Sequence, residues 1–276
     1  MTDATQIMDQ LRRVAARGQA IIGAGAGIGL SAKCASDGGA DLIIVYNSGR
    51  YRMAGRGSTA GYLCYGDGNQ IVADMADEII PMAGSVPVIA GVCGTDPFRS
   101  MPRYLRSLID LGYRGVQNFP TVGLIDGLFR QSLEETGMGY DLEVEMIRSA
   151  AELGLLTTPY VFTEGEAEQM VAAGADIVVA HMGVTVKGTI GAHTAMTLDD
   201  AVERCARIAA AARSVNPDVL VLCHGGPIAE PDEALYVLTR VPHLVGFYGA
   251  SSTERIPTER AMTDKMREFK HIPLTS

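Results

Sequence analysis

Two histidines, His181 and His224, each close a short apolar run that opens into a glycine-bearing loop, DIVVAHMG and VLVLCHGG. A side chain that titrates near neutral pH suits general acid–base work or metal ligation. Asn47 and Asn118 hold the same kind of position, after DLIIVY and within GVQNFP, where Gln117 precedes Asn118. Such amides either stabilise an oxygen on which charge develops or satisfy loop backbone. Lys187 and His193, in the stretch beyond His181, are either groups for carboxylate binding and proton transfer or exposed loop residues.

Other segments carry groups suited to an anion. The segment Asn47-Ser48-Gly49-Arg50-Tyr51-Arg52-Met53-Ala54-Gly55-Arg56 carries three arginines, whose guanidinium forks match carboxylate or phosphate. Of these, Arg52 and Arg56 are the expected substrate contacts, beside Ser48 and Gly49; a basic surface loop is the plainer reading. The loop from Gly23 to Gly29 fails the dinucleotide pattern, because Ile28 and Leu30 stand where glycine is needed and no acid ends the next run. No nucleotide cofactor is therefore expected, and Gly25 leads either to an anion-attracting helix start or to a tight turn. His224-Gly225-Gly226-Pro227 and Gly249-Ala250-Ser251-Ser252 form either a backbone-amide anion site or two tight turns, with Glu254 close behind. Cys93 opens CGTDPF, in which Asp96 either binds a divalent cation or caps a helix.

The elements that must position these residues repeat. Eight apolar runs begin near Ala20, Asp41, Val86, Gly115, Leu156, Asp176, Val219 and Leu244, and helical stretches lie between them. The runs are near-continuously apolar, as strands of a parallel sheet covered on both faces should be. Thr163-Glu164-Gly165-Glu166 reads as a capping box, Thr197 as a second cap, and Pro231 and Pro257 as first-turn prolines. A leading helix near Thr5–Arg17 closes one end. The expected fold is a single (β/α)8 TIM barrel over residues 1–276, with long loops after strands 2, 4 and 6. Its active site lies at the carboxyl ends of the strands. Strand parity leaves open whether Cys223 or His224 faces inward.

Bulk composition narrows the function. At 276 residues the chain is near the ~250 typical of one such barrel. A net charge of −9 argues against a nucleic-acid partner, since that affinity depends on clustered Lys and Arg. No apolar run nears the ~18 residues of a membrane helix, so no membrane partner is expected. Five cysteines without a CxxC pair, and no signal-like amino terminus, point to a reducing cytoplasm.

NSGRYRMAGRGS, QNFPTVGLIDGLFRQSLEETGMGYDLEVEMI, LLTTPYVF, HMGVTVKGTIGAHTAMTLDD, CHGGPI and GFYGASSTERIPTE together resemble the phosphoenolpyruvate hydrolase-like family. Its members are also labelled TIM-barrel signal-transduction proteins and resemble the carboxy-terminal domain of plant antiviral resistance proteins. The family sits near the phosphoenolpyruvate mutase and isocitrate lyase superfamily. The resemblance implies enolate-type chemistry on a small anionic oxo acid or enol derivative, cleaving a C–C, C–O or C–P bond. It also implies a homo-oligomer and a divalent metal ion, magnesium ahead of zinc because HExxH and HxH are absent. That superfamily spreads carboxylates over the ends of the second to fourth strands; the corresponding positions here are Asn47, Asp96 and Asn118. Two alternatives stand: retro-Claisen or retro-aldol cleavage of a 1,3-dicarbonyl, and a non-catalytic sensor or protein-binding barrel.

Overall fold

The computed structural model describes residues 3–192 and 196–274. The apolar runs form parallel strands: β1 (Ile21–Gly25), β2 (Leu42–Val45), β3 (Val88–Val92), β4 (Gly115–Asn118), β5 (Leu156–Thr157), β6 (Tyr160–Val161), β7 (Ile177–His181), β8 (Leu220–His224) and β9 (Leu244–Gly249). Their order is β5-β4-β3-β2-β1-β9-β8-β7-β6. The two end members are separated only by Thr158 and Pro159, and proline has no N–H for a ladder. There the run expected as a fifth strand divides. The Thr158 amide donates to Val116 O at 3.0 Å, and Pro159 O accepts from the Val179 amide at 2.9 Å. The sheet thus curls until one short segment bridges its two ends, a TIM-barrel-like α/β fold.

Side-chain alternation separates two cores. Inward residues Leu42, Ile44, Ile89, Leu156, Ile177, Val179 and Leu222 pack together with Ile7, Met8, Leu11 and Val14 of the leading helix, Ala4–Ala16. That helix closes the amino-terminal end, the base. Outward residues such as Ile43, Val45, Ala90 and Val178 pack beneath the outer helices. Near the carboxyl-terminal end, glycines on inward positions make room for rings. A Cβ on Gly23 would lie 2.1 Å from Tyr248 Cε1, and one on Gly91 would lie 3.0 Å from Tyr46 Cδ1.

Two connections expected as long loops contain helix instead. Asn47–Met53 and Gly68–Asp74 follow β2, and Gly127–Glu135 follows β4. The arginine-rich segment is therefore helical through Met53, with Arg52 one turn beyond Ser48. Thr163 caps as expected, accepting from the Glu166 amide at 3.2 Å, but Glu166 reaches back to the Phe162 amide rather than to Thr163. Thr197 and Asp200 complete a reciprocal capping box.

Candidate active site

His181 and His224 are register partners on β7 and β8, and both point inward. Cys223 faces the outer core, which settles the parity. The two imidazole centroids lie 4.6 Å apart, and Tyr160 packs against both at 4.7 and 5.0 Å. They line a cavity of about 40 Å³ with Tyr46, Ser48, Arg52, Ser58, Tyr62 and Ser251.

Backbone contacts fix the two rings in opposite tautomers. His181 Nδ1 accepts from the Gly183 amide at 3.0 Å, so its proton sits on Nε2. His224 Nδ1 lies 2.8 Å from Tyr248 O, and a carbonyl only accepts. Its proton is therefore on Nδ1, and Nε2 carries a free lone pair. Among the described residues neither Nε2 has a protein partner, so the pair offers one donor and one acceptor. Burial holds His181 well below the usual histidine range, helped by the neighbouring His224 and Arg204. Burial likewise lowers His224 to about 4, against the opposing pull of the Tyr248 carbonyl. Both rings are neutral at pH 7.

Beside the histidines, the Tyr46 and Tyr160 hydroxyls meet at 2.7 Å, and burial raises the pKa of each. Sequence reasoning missed both tyrosines. The signal available was position: Tyr46 follows the last residue of β2 and Tyr160 opens β6 after Pro159, both on inward steps. Gln117, also inward on β4, is buried with no partner for either amide atom.

The expected anion groups behave differently. Arg52 is buried and bound to Glu254, with Nε and Nη2 at 3.1 and 2.9 Å from Oε2. Its Nη1 donates to Ser48 Oγ at 3.1 Å. Glu254 Oε1 accepts from the Gly27 amide at 2.5 Å and Ser31 Oγ at 2.6 Å. The anion drawn to the helix start beyond Gly25 is thus this chain's own carboxylate. Close approach of two backbones makes the arrangement possible, since a Cβ on Gly27 would lie 2.1 Å from Gly49 O. Ser251 Oγ is 3.2 Å from Ser58 Oγ and lines the cavity, whereas Ser252 faces a separate apolar groove. Gly249 ends β9.

Several expected contacts lie elsewhere. Asn118 does not reach the cavity: its Oδ1 accepts from the Tyr160 amide at 2.7 Å and its Nδ2 donates to Glu143 Oε2 at 2.6 Å and to Tyr160 O at 3.2 Å. No donor remains for an enolate. Glu143, unread in the sequence, is pushed by burial up to about 8 against its hydrogen bonds from Thr121, Val122 and Asn118. Asn47 donates to Gly61 O at 2.9 Å and lines, with Cys93, a different cavity of about 330 Å³. Lys187 binds Glu233 at 2.6 Å, and Arg56 is exposed. Gly225 and Gly226, at φ 77 and 56°, make a tight turn in which the Gly226 amide donates to Gly183 O at 2.8 Å. His193 lies outside the described residues.

The donor set does not suit a divalent metal. Magnesium calls for oxygen ligands, usually carboxylates. Glu254, behind the cavity-lining Arg52, is taken by Arg52, Gly27 and Ser31. Asp96 accepts from Asn69, Phe98 and Arg99, bonds that outweigh its burial and hold its carboxyl below the usual range. Among the described residues no group of three or more His, Cys, Asp and Glu could hold a metal. Nor is any described helix long and apolar enough to cross a membrane.

With this geometry in hand, known proteins bear on the chain. Residues 6–272 match the phosphoenolpyruvate hydrolase-like family. The chain is 57% identical over 268 residues to ToMV susceptible protein tm-1(GCR26) of Solanum lycopersicum, covering 97% of this chain but only 36% of that protein's length. Among solved structures, 2,3-dimethylmalate lyase, a phosphoenolpyruvate mutase/isocitrate lyase superfamily member, matches with TM-score 0.61 at 16% identity, over 100% of this chain and 91% of that one. Oxaloacetate acetylhydrolase in complex with 3,3-difluorooxalacetate matches with TM-score 0.61 at 15% identity, over 98% and 86%. At such identities the likeness speaks for the fold alone.

Proposed function

The chain belongs to the phosphoenolpyruvate hydrolase-like family, and from that premise we propose that it is an enzyme of enolate-type chemistry. It cleaves a bond next to the carbonyl of a small oxo acid or enol derivative, with C–C cleavage the favoured version. One observation carries this reading: two neutral histidines, locked by backbone in complementary tautomers, present a donor and an acceptor to one small cavity. His224 Nε2 takes the proton of a hydroxyl two carbons from the substrate carbonyl. As that hydroxyl carbon becomes a carbonyl the C–C bond breaks, and its electron pair forms the enolate whose oxygen accepts from His181 Nε2–H. The proton then returns from His224 to the enolate carbon. Tyr160 lies against both rings and can share that oxygen. A positioned donor of this kind is worth roughly 3 kcal/mol of barrier. At the other end, three of the five guanidinium N–H donors of Arg52 are committed. The remaining two, with Ser58 and Ser251, seat a carboxylate. No step is routed through a metal.

Arg52 and Glu254 together are neutral, which favours a second reading, hydrolysis of an uncharged 1,3-dicarbonyl by a water that His224 activates. Solvent-deuterium exchange followed by NMR tests both. Pyruvate, oxaloacetate, phosphoenolpyruvate and a neutral 1,3-diketone are each incubated in D2O with the wild type and His224→Ala. The first reading expects exchange or cleavage of an oxo acid, lost by about 10²–10⁴-fold in the variant. Reaction of the diketone alone selects the second. Binding without exchange or cleavage across the panel supports a sensor and removes the catalytic assignment.

A further inference from the structure

Resting on the oxo-acid reading above, we propose that the substrate carries an uncharged, largely apolar tail beyond its oxo-acid head. The tail lies in the cavity of about 330 Å³ beside the histidines. The histidine cavity, at about 40 Å³, has room for only a few water-sized groups, since one water needs roughly 10–15 Å³. A head of carboxylate and carbonyl fills it. The larger cavity reaches the size of small-molecule sites, which begin at ~300 Å³.

A thin wall divides the two. Tyr62 lines both, and neighbours in the chain face opposite ways: Ser48, Phe119 and Leu124 line the histidine cavity, and Asn47, Pro120 and Ile125 the larger one. The Tyr62 ring stands edge-on to Phe119 at 5.2 Å, at the end of the short turn Ser58–Tyr62. A substrate chain passing this ring leads from Arg52 and the histidines into the larger space.

The linings differ in charge. Arg52 and both histidines face the smaller cavity, whereas none of the described residues lining the larger one is charged. Leu63, Phe129 and Met138 border it, 56, 64 and 41% exposed. The helix Gly127–Glu135, which carries Phe129, buries none of its residues. Apolar side chains left in solvent around a concave space suit an apolar group that covers them. One polar atom interrupts this lining. Asn47 is 3% exposed; its Nδ2 is committed to Gly61 O, while Oδ1 is buried without a partner among the described residues. That oxygen only accepts, so the tail offers it a donor near the junction with the head.

NMR titration of the full chain with pyruvate, 2-oxooctanoate and tail-hydroxylated derivatives of the latter tests this through binding alone, without turnover. The longer acid should bind at least about 30-fold more tightly than pyruvate, a fraction of what full burial of its added methylenes gives. A hydroxyl near the head should add a further factor of about 5 over the parent acid. Phe129→Asp and Met138→Asp, each checked for folding by circular dichroism, put a carboxylate into the uncharged lining at exposed positions. Both should remove the gain from the tail and leave the affinity for pyruvate unchanged. Equal affinity for the short and long acids, or a tail gain that both variants leave intact, would overturn the proposal while the oxo-acid reading stands. A tail gain that no hydroxyl improves would overturn the donor assigned opposite Asn47. Failure of every oxo acid to bind would remove the oxo-acid reading itself, and the tail with it.

Discussion

The two ends of the barrel treat their polar groups in opposite ways. At the base, Asp41 accepts from the Ile22 amide at 2.8 Å, and Asp176 accepts from the amide and hydroxyl of Thr157, each at 3.0 Å. These carboxylates stitch strand starts, and the helix Ala4–Ala16 closes that end. At the mouth neither histidine Nε2 is hydrogen-bonded among the described residues, and within the barrel the Gln117 amide and the Tyr248 hydroxyl, which do not line the cavity, are buried without partners. Burying an unpaired polar group costs about 1–3 kcal/mol. One rim thus satisfies its polar groups from within, and the other keeps unpaired ones, in line with the proposed function. The mouth is not uniform, however: Arg52 and Glu254 are as closed as anything at the base.

Breaking that locked pair should produce the largest change in stability. Arg52→Ala leaves Glu254 buried and uncompensated, and should cost about 3–5 kcal/mol in urea unfolding. A loss below 1 kcal/mol would mean the whole mouth is loosely held. Acid separates the rims next. Between pH 6.5 and 4 the unfolded chain binds protons that native His224 refuses, so its contribution is complete above 6.5 and lost as pH falls to about 4. That amounts to about 3 kcal/mol for this residue. Burial raises Asp41 and Asp176, so their contributions run the other way, present at low pH and lost as pH rises through their folded values. Thermal melts of His224→Gln should show a flattened acid limb, and those of Asp176→Asn should not.

Asp176→Ala should cost about 1–3 kcal/mol by stranding the Thr157 amide, whose hydroxyl keeps Gly174 O, yet leave turnover within twofold. A large loss of turnover there would erase the division between the rims. The smallest effect belongs to Gln117→Leu. Replacing an amide with no partners by an apolar group should change stability by about 1 kcal/mol or less, in either direction. If the open mouth serves a ligand, the same substitution should still alter KM.

Much of the scaffold was legible because parallel strands covered on both faces leave an unbroken apolar signature, and the histidines at their ends fall on the working face. The divided run was harder: Pro159 lies inside LTTPYVF, and apolarity alone does not reveal a missing ladder donor. The arginine segment was read as loop because its glycines outweigh its helix formers, whereas packing of Gly49 against Gly27 settles it as helix. Glu143 was hidden because a carboxylate in a helical stretch ordinarily marks a solvated face, and here it is fully buried. Asn118 was read for chemistry because an amide at a strand end looks the same whether its partner is a substrate or the next strand.

That amide has a consequence of its own. Where the ring of strands is joined, Asn118 hydrogen-bonds to both the N–H and the C=O of Tyr160, replacing with a side chain what a neighbouring peptide unit would offer. Tyr160 is also the ring packed against both imidazoles. The closing seam of the scaffold and the alignment of the two histidines proposed as catalytic therefore share one fastening, and the architecture cannot slacken there without shifting both rings.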